Sequence, residues 1–98
     1  MEEKKYTCPC CGYRTLSIRP PGTYEICYIC GWEDDPVQFN DPDSQNGANT
    51  VTLREAQQNF VTFGYSTERV KTFVRKPLPS DIRDSSWSAL PPIIKKES

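Results

Sequence analysis

Histidine does not occur in the 98 residues. Its absence removes the commonest general base, the usual partner of a nucleophilic Ser or Cys, and a frequent metal ligand. Long apolar runs are also missing. No stretch reaches the ~18 apolar residues that crossing a membrane requires. The polar start Met1-Glu2-Glu3-Lys4-Lys5 has no apolar segment behind it, so no secretory signal is expected. Excess charge of one sign is lacking: the formal net charge is −1, which gives no global attraction to nucleic acid. Hydrophobic residues make up only 36% of the chain. A single domain with so thin a core often takes part of its stability from a disulfide or a metal.

What the sequence has in plenty is cysteine, in one place. All five cysteines lie between Cys8 and Cys30. With no signal for export, a cytoplasmic, reducing setting is expected, where clustered thiols read as metal ligands or redox groups rather than disulfides. The pattern is Cys8-Pro9-Cys10-Cys11-Gly12, fifteen residues, then Cys27-Tyr28-Ile29-Cys30-Gly31. A Cys-x-x-Cys turn lets two sulfurs reach one ion. The glycine after it accepts a positive φ and lets backbone N–H groups face the sulfurs. Two such knuckles supply four thiolates in a tetrahedron, the closed arrangement of structural zinc. Cys8, Cys11, Cys27 and Cys30 are therefore the expected ligands of one zinc ion per chain, with iron as a possible substitute in the same four-sulfur site. Cys10 is left over, although it could replace Cys8. As a thiol beside a metal it is the candidate for oxidation or metal exchange. Four ionised thiols and one divalent ion would carry the net charge to about −3.

The rest of the chain divides by pattern. Residues 1–5 read as a flexible end, 6–76 as one zinc-stabilised domain, and 77–98, rich in Pro and Ser, as a partly docked tail. Tyr13–Arg19 and Thr23–Ile26 flank the turn signal Pro20-Pro21-Gly22 and read as a β-hairpin joining the knuckles. Glu33–Asn49 reads as a long acidic loop pinned by Val37 and Phe39. Leu53, Ala56, Gln57, Phe60 and Val61 fall at helical spacing behind the capping-box pair Thr52 and Glu55, and Gly64 ends that helix. A second helix is expected from Ser66 or Thr67, with Val70, Phe73 and Val74 inward and Pro77 as its stop. The fold class expected is α+β: a zinc-ribbon-like hairpin, a long acidic loop and a two-helix hairpin. Trp87 and Leu90 are the tail's docking candidates.

Other residue groups carry weaker signals. Trp32, Glu33, Asp34 and Asp35 form an acidic run with an aromatic head, the candidate surface for a protein partner. Asp41, Asp43 and Gln45 loosely follow a calcium loop, but the glycine falls one position late and the terminal Glu is missing. Arg69, Lys71, Arg75 and Lys76 give the second helix a basic face. Overall acidity argues against nucleic acid as its ligand. Tyr13, Tyr24, Tyr28 and Trp32 flank the knuckles and read as metal-covering core. No catalytic constellation emerges: there is no glycine-rich phosphate loop, and four cysteines leave no open metal position. The chain is expected not to be an enzyme.

Three segments carry a family resemblance: Cys8-Pro9-Cys10-Cys11-Gly12-Tyr13, Pro21-Gly22-Thr23-Tyr24-Glu25-Ile26-Cys27 and Cys30-Gly31-Trp32-Glu33-Asp34-Asp35-Pro36-Val37-Gln38. With Asn40-Asp41-Pro42-Asp43, Gly47-Ala48-Asn49 and the helix of Leu53, Glu55, Ala56 and Phe60, the chain resembles the cysteine-rich CPCC family of bacterial proteins from about Tyr6 to Pro77. The resemblance implies metal binding through the cysteines and no established activity. It also suggests an accessory or immunity role in bacterial competition. The second knuckle departs from the family in reading Tyr28-Ile29 where a proline would be expected. The function expected is a structural-zinc module that binds a protein partner, without a membrane. The alternatives are a nucleic-acid-binding ribbon and a redox or rubredoxin-like iron protein.

Overall fold

The computed structural model of the protein describes residues 5–91. The expected flexible start, apart from Lys5, and the last seven residues of the expected tail lie outside the described residues. The class is α+β: a two-stranded antiparallel hairpin and two helices, with one 3₁₀ turn.

Strands β1 (Tyr6–Thr7) and β2 (Arg14–Leu16) pair with Tyr6 opposite Leu16 and Thr7 opposite Arg14, across a bulge. The first cysteine pair is the turn between them. The expected hairpin joined the two knuckles instead. Its first half forms β2, but its second half turns elsewhere. The Glu25 carboxylate accepts from the N–H groups of Ser17 and Ile18 at 2.9–3.1 Å, and Tyr24 has a φ of 57°. A ladder cannot continue through that turn. Residues 24–27 pair forward with 32–34, around the second cysteine pair. Tyr24 N–H bonds Asp34 O at 2.9 Å, Asp34 N–H bonds Glu25 O at 2.9 Å, and Cys27 N–H bonds Trp32 O at 3.0 Å. Each cysteine pair thus sits at the tip of its own small ribbon.

The expected acidic loop is corrected at its centre. Helix α1 (Pro36–Asn40) forms there because Asp35 caps it, accepting from Val37 N–H at 2.7 Å and Gln38 N–H at 3.1 Å, with Pro36 preset in the first turn. Gln38 is fully buried and ties the surrounding coil together. Its amide donates to Val51 O at 3.0 Å and accepts from Asn49 Nδ2 at 2.9 Å.

Helix α2 (Leu53–Phe63) starts at a capping box, Thr52 with Glu55, and ends at Gly64, whose φ is 87°. It buries Leu53, Ala56 and Gln57, and Phe60 packs against the core. Val61, expected inward, is exposed: one residue beyond Phe60, it rotates off the buried stripe. The second expected helix shrinks to a 3₁₀ turn at Glu68–Val70 without a side-chain cap. Its flanks spend their backbone on the second knuckle instead: Ser66 N–H bonds Cys30 O at 2.7 Å and Arg75 N–H bonds Tyr28 O at 3.1 Å.

Residues beyond Pro77 dock on the first knuckle. Arg83 lies opposite Tyr13 in an isolated antiparallel bridge, with Arg14 N–H on Ile82 O and Asp84 N–H on Gly12 O, both 2.8 Å. Further on, Leu90 N–H bonds Gln57 Oε1 at 2.8 Å. The core lies between these layers and consists of the five cysteines, Leu16, Ile29, Trp32, Leu53 and Ala56.

Candidate metal centre

The two knuckles are one backbone motif used twice, 19 residues apart. In the first, Cys8 N–H bonds Tyr13 O at 2.8 Å and Gly12 N–H bonds Cys8 O at 2.9 Å. In the second, Cys27 N–H bonds Trp32 O at 3.0 Å and Gly31 N–H bonds Cys27 O at 2.8 Å. Gly12 and Gly31 have φ of 80° and 82°, a region other residues enter only at a cost. Both glycines are also covered. A Cβ on Gly12 would fall 2.3 Å from Trp87 Cε3, and one on Gly31 would fall 2.3 Å from Val70 Cγ2.

The turns bring together the sulfurs of Cys8, Cys11, Cys27 and Cys30, all buried and within 4.8 Å of one another. Cys8 Sγ lies 3.6 Å from Cys30 Sγ, and Cys11 Sγ lies 3.7 Å from Cys27 Sγ. All five cysteines are free thiols. Four sulfurs so close and so buried cannot all carry charge unaided. Burial pushes the Cys8 and Cys30 thiols up, and the Cys27 sulfur beside Cys11 pushes that thiol up too. Cys27 is held down because Cys11, then Cys30, Cys8 and Thr15, hydrogen-bond to its sulfur. A divalent cation at the centre would remove the repulsion and favour the thiolate at every position. The set could therefore hold a metal ion.

The shell outside the sulfurs draws on α2, on the C-terminal segment and on the ribbons themselves. Pro9 O accepts from Gln57 Nε2 at 2.9 Å and from Trp87 Nε1 at 3.2 Å, and Cys11 O accepts from Arg83 Nε at 3.1 Å. Thr15 Oγ1 donates to Cys27 Sγ at 3.1 Å. The N–H groups of Ile29 and Trp32 point at Cys27 Sγ and Cys30 Sγ, both at 3.4 Å.

A family model described as cysteine-rich CPCC matches residues 6–81. The chain belongs to the cysteine-rich CPCC family. No curated protein matches it. The CPCC stretch itself reads clearly against the second knuckle. Cys8 stands where Cys27 stands, Cys11 where Cys30 stands, and Cys10 where Ile29 stands. Cys10 and Ile29 both have no exposed surface. The CPCC thiol singled out as reactive thus occupies an apolar packing position, out of reach of solvent.

The acidic run expected as a partner surface lies mostly inside the fold. Trp32, Asp34 and Asp35 are buried and Glu33 is half-buried. Asp34 Oδ2 accepts from Thr23 N–H at 3.0 Å and Thr23 Oγ1 at 2.8 Å. Asp35, besides capping α1, accepts from Ala48 N–H at 2.9 Å. These carboxylates satisfy backbone donors of a chain with little regular structure, so they face inward. Sequence reasoning missed Gln57, Thr15 and Arg83 as support for the knuckles. Gln57 was readable as a polar residue on the apolar stripe of α2; Thr15 and Arg83 carried no local signal.

Proposed function

We propose that the protein is a structural-zinc module, in which one Zn²⁺ on Cys8, Cys11, Cys27 and Cys30 holds two ribbons together for binding a protein partner. One observation carries the metal reading. A tetrahedron with Zn–S bonds of about 2.3 Å has sulfurs about 3.8 Å apart; two of the six edges are 3.6 and 3.7 Å, and all six lie within 4.8 Å. Cysteine alone as donor favours a thiophilic metal. A filled four-sulfur shell leaves no coordination site for a substrate, which supports a binding rather than a catalytic role. Reduced thiols fit a cytoplasmic setting. Among the described residues, no helix is long and apolar enough to cross a membrane.

Purified protein should carry close to one zinc per chain by elemental analysis, and a strong chelator should unfold it. Retained near-native thermal stability in metal-free protein would end the reading. Iron fits the same sulfurs, and a red protein with one iron per chain after expression in zinc-poor medium would assign the site to iron instead.

A further inference from the structure

The second ribbon has one closed edge and one open edge. Ile26 and Glu33 face each other between the bonds Cys27 N–H to Trp32 O and Asp34 N–H to Glu25 O. In such an antiparallel pair neither residue spends its own N–H and C=O across the ribbon; both pairs point outward. On the Glu33 side they are taken by one side chain. Glu33 N–H bonds Asn49 Oδ1 at 2.9 Å, and Asn49 Nδ2 bonds Glu33 O at 2.8 Å. Asn49 thus stands in for a neighbouring strand. On the Ile26 side no partner exists among the described residues. Ile26 is 46% exposed.

A groove of about 250 Å³ is lined by Ile26 from this edge and by Glu33 and Asn49 from the closed one. Ile26, Ala48, Val70 and Phe73 supply its apolar lining, with Glu33 and Arg69 as its charged groups. Phe73 is 55% exposed. Residues 69–80 hold four basic side chains and no acidic one. Arg75 is spent on Asp81 at 2.7 Å. Arg69, Lys71 and Lys76 have no ion pair among the described residues.

We propose that the Ile26 edge and its groove take an extended acidic segment of a protein partner, which pairs with the Ile26 main chain and sets an apolar side chain against Val70 and Phe73. Unpaired edges recruit strands in this way, with main-chain bonds giving affinity and pockets giving specificity. The carboxylates belong on the Arg69 side, because Glu33 would repel them on the other. The apolar lining and Glu33 favour a peptide over a nucleic acid. The proposal rests on the protein-binding reading and locates it away from the buried acidic run.

The test uses full-length zinc-loaded protein and a phage-displayed library of random dodecapeptides. Selected peptides are expected to be acidic with an apolar residue among the acids. A synthetic selected peptide should shift the Ile26, Val70 and Phe73 resonances and slow exchange of the Ile26 amide proton. Arg69→Glu and Phe73→Ser, both at exposed positions, should each weaken binding at least tenfold with one zinc per chain retained. Failure to enrich any peptide, or enrichment of basic ones, overturns the proposal. Peptides that bind but shift only the Trp87–Leu90 region overturn this surface and leave the protein-binding reading standing. Salt-sensitive retention of single-stranded RNA, with no peptide selected, overturns both.

Discussion

At the scale of single residues, the knuckle glycines make the sharpest contrast. Gly12 and Gly31 combine a positive φ with a covered Cβ position, whereas Gly64 has a φ of 87° and nothing within 4 Å of where a Cβ would sit. Alanine at Gly64 should cost only the left-handed backbone penalty, about 1 kcal/mol. Alanine at Gly12 or Gly31 adds overpacking, for a total of about 2–4 kcal/mol. Denaturant unfolding of the zinc-loaded variants orders the three. Cys10 gives a second residue-scale expectation. As the counterpart of Ile29 it packs as a small apolar group, so Cys10→Ser should cost about 1–3 kcal/mol by burying a hydroxyl. Cys10→Ala should cost less, and metal content by elemental analysis should stay at one ion per chain in both. The Cys10 and Ile29 correspondence was legible in the sequence: Cys-Pro-Cys-Cys-Gly laid on Cys-Tyr-Ile-Cys-Gly shows it.

Elements separate what local sequence determines from what it does not. The cysteine spacing and the Thr52–Glu55 box act within a few residues, and the structure has both the four-sulfur cluster and the capped helix they imply. The segment after Gly64 has helical spacing, but its backbone donors reach Cys30 O and Tyr28 O across the fold. No local pattern announces that. The acidic run is similar: Asp34 and Asp35 look solvated until Thr23 and Ala48 arrive as donors from elsewhere. The run should therefore divide on mutation. Asp35→Ala removes the cap of α1 and strands Ala48 N–H, and should destabilise by about 2–3 kcal/mol. The Glu33 side chain makes no hydrogen bond or ion pair among the described residues, so Glu33→Gln should leave the thermal midpoint nearly unchanged. Scanning calorimetry of the pair checks this, and also shows why alanine across the whole run would test folding rather than partner binding.

Over the whole molecule, the C-terminal third holds the first knuckle through Asp84, whose carboxylate accepts from Ser86 N–H at 2.9 Å, Ser86 Oγ at 2.6 Å and Thr7 Oγ1 at 2.6 Å. The Ser86 hydroxyl, then Thr7 and the Ser86 amide, lower its pKa to about 2, against about 3.9 for an unfolded Asp. A lowered folded pKa contributes stability that is complete above the unfolded value and vanishes as pH falls through the folded one. The difference in melting temperature between wild type and Asp84→Asn should thus be steady from pH 5 to 7, shrink below about pH 4 and close near pH 2. Acid also strips metal from thiolates, so the comparison is read at the pH values where elemental analysis finds one ion per chain in both proteins.

The twin ribbons are alike in backbone but not in how their sulfurs are shielded. Cys27 and Cys30 accept hydrogen bonds from Ile29, Trp32 and Thr15. Among the described residues, Cys8 and Cys11 accept none from outside the cluster. A shielded thiolate is a weaker nucleophile. All four sulfurs are buried, so oxidation waits on a local opening of the cluster. Under mild peroxide the damage should then begin on the unshielded pair, with peptide mass spectrometry finding sulfenic or disulfide products at Cys8 and Cys11 first. The protein would then lose its ion from one side, while the other pair stayed reduced and ready to rebind.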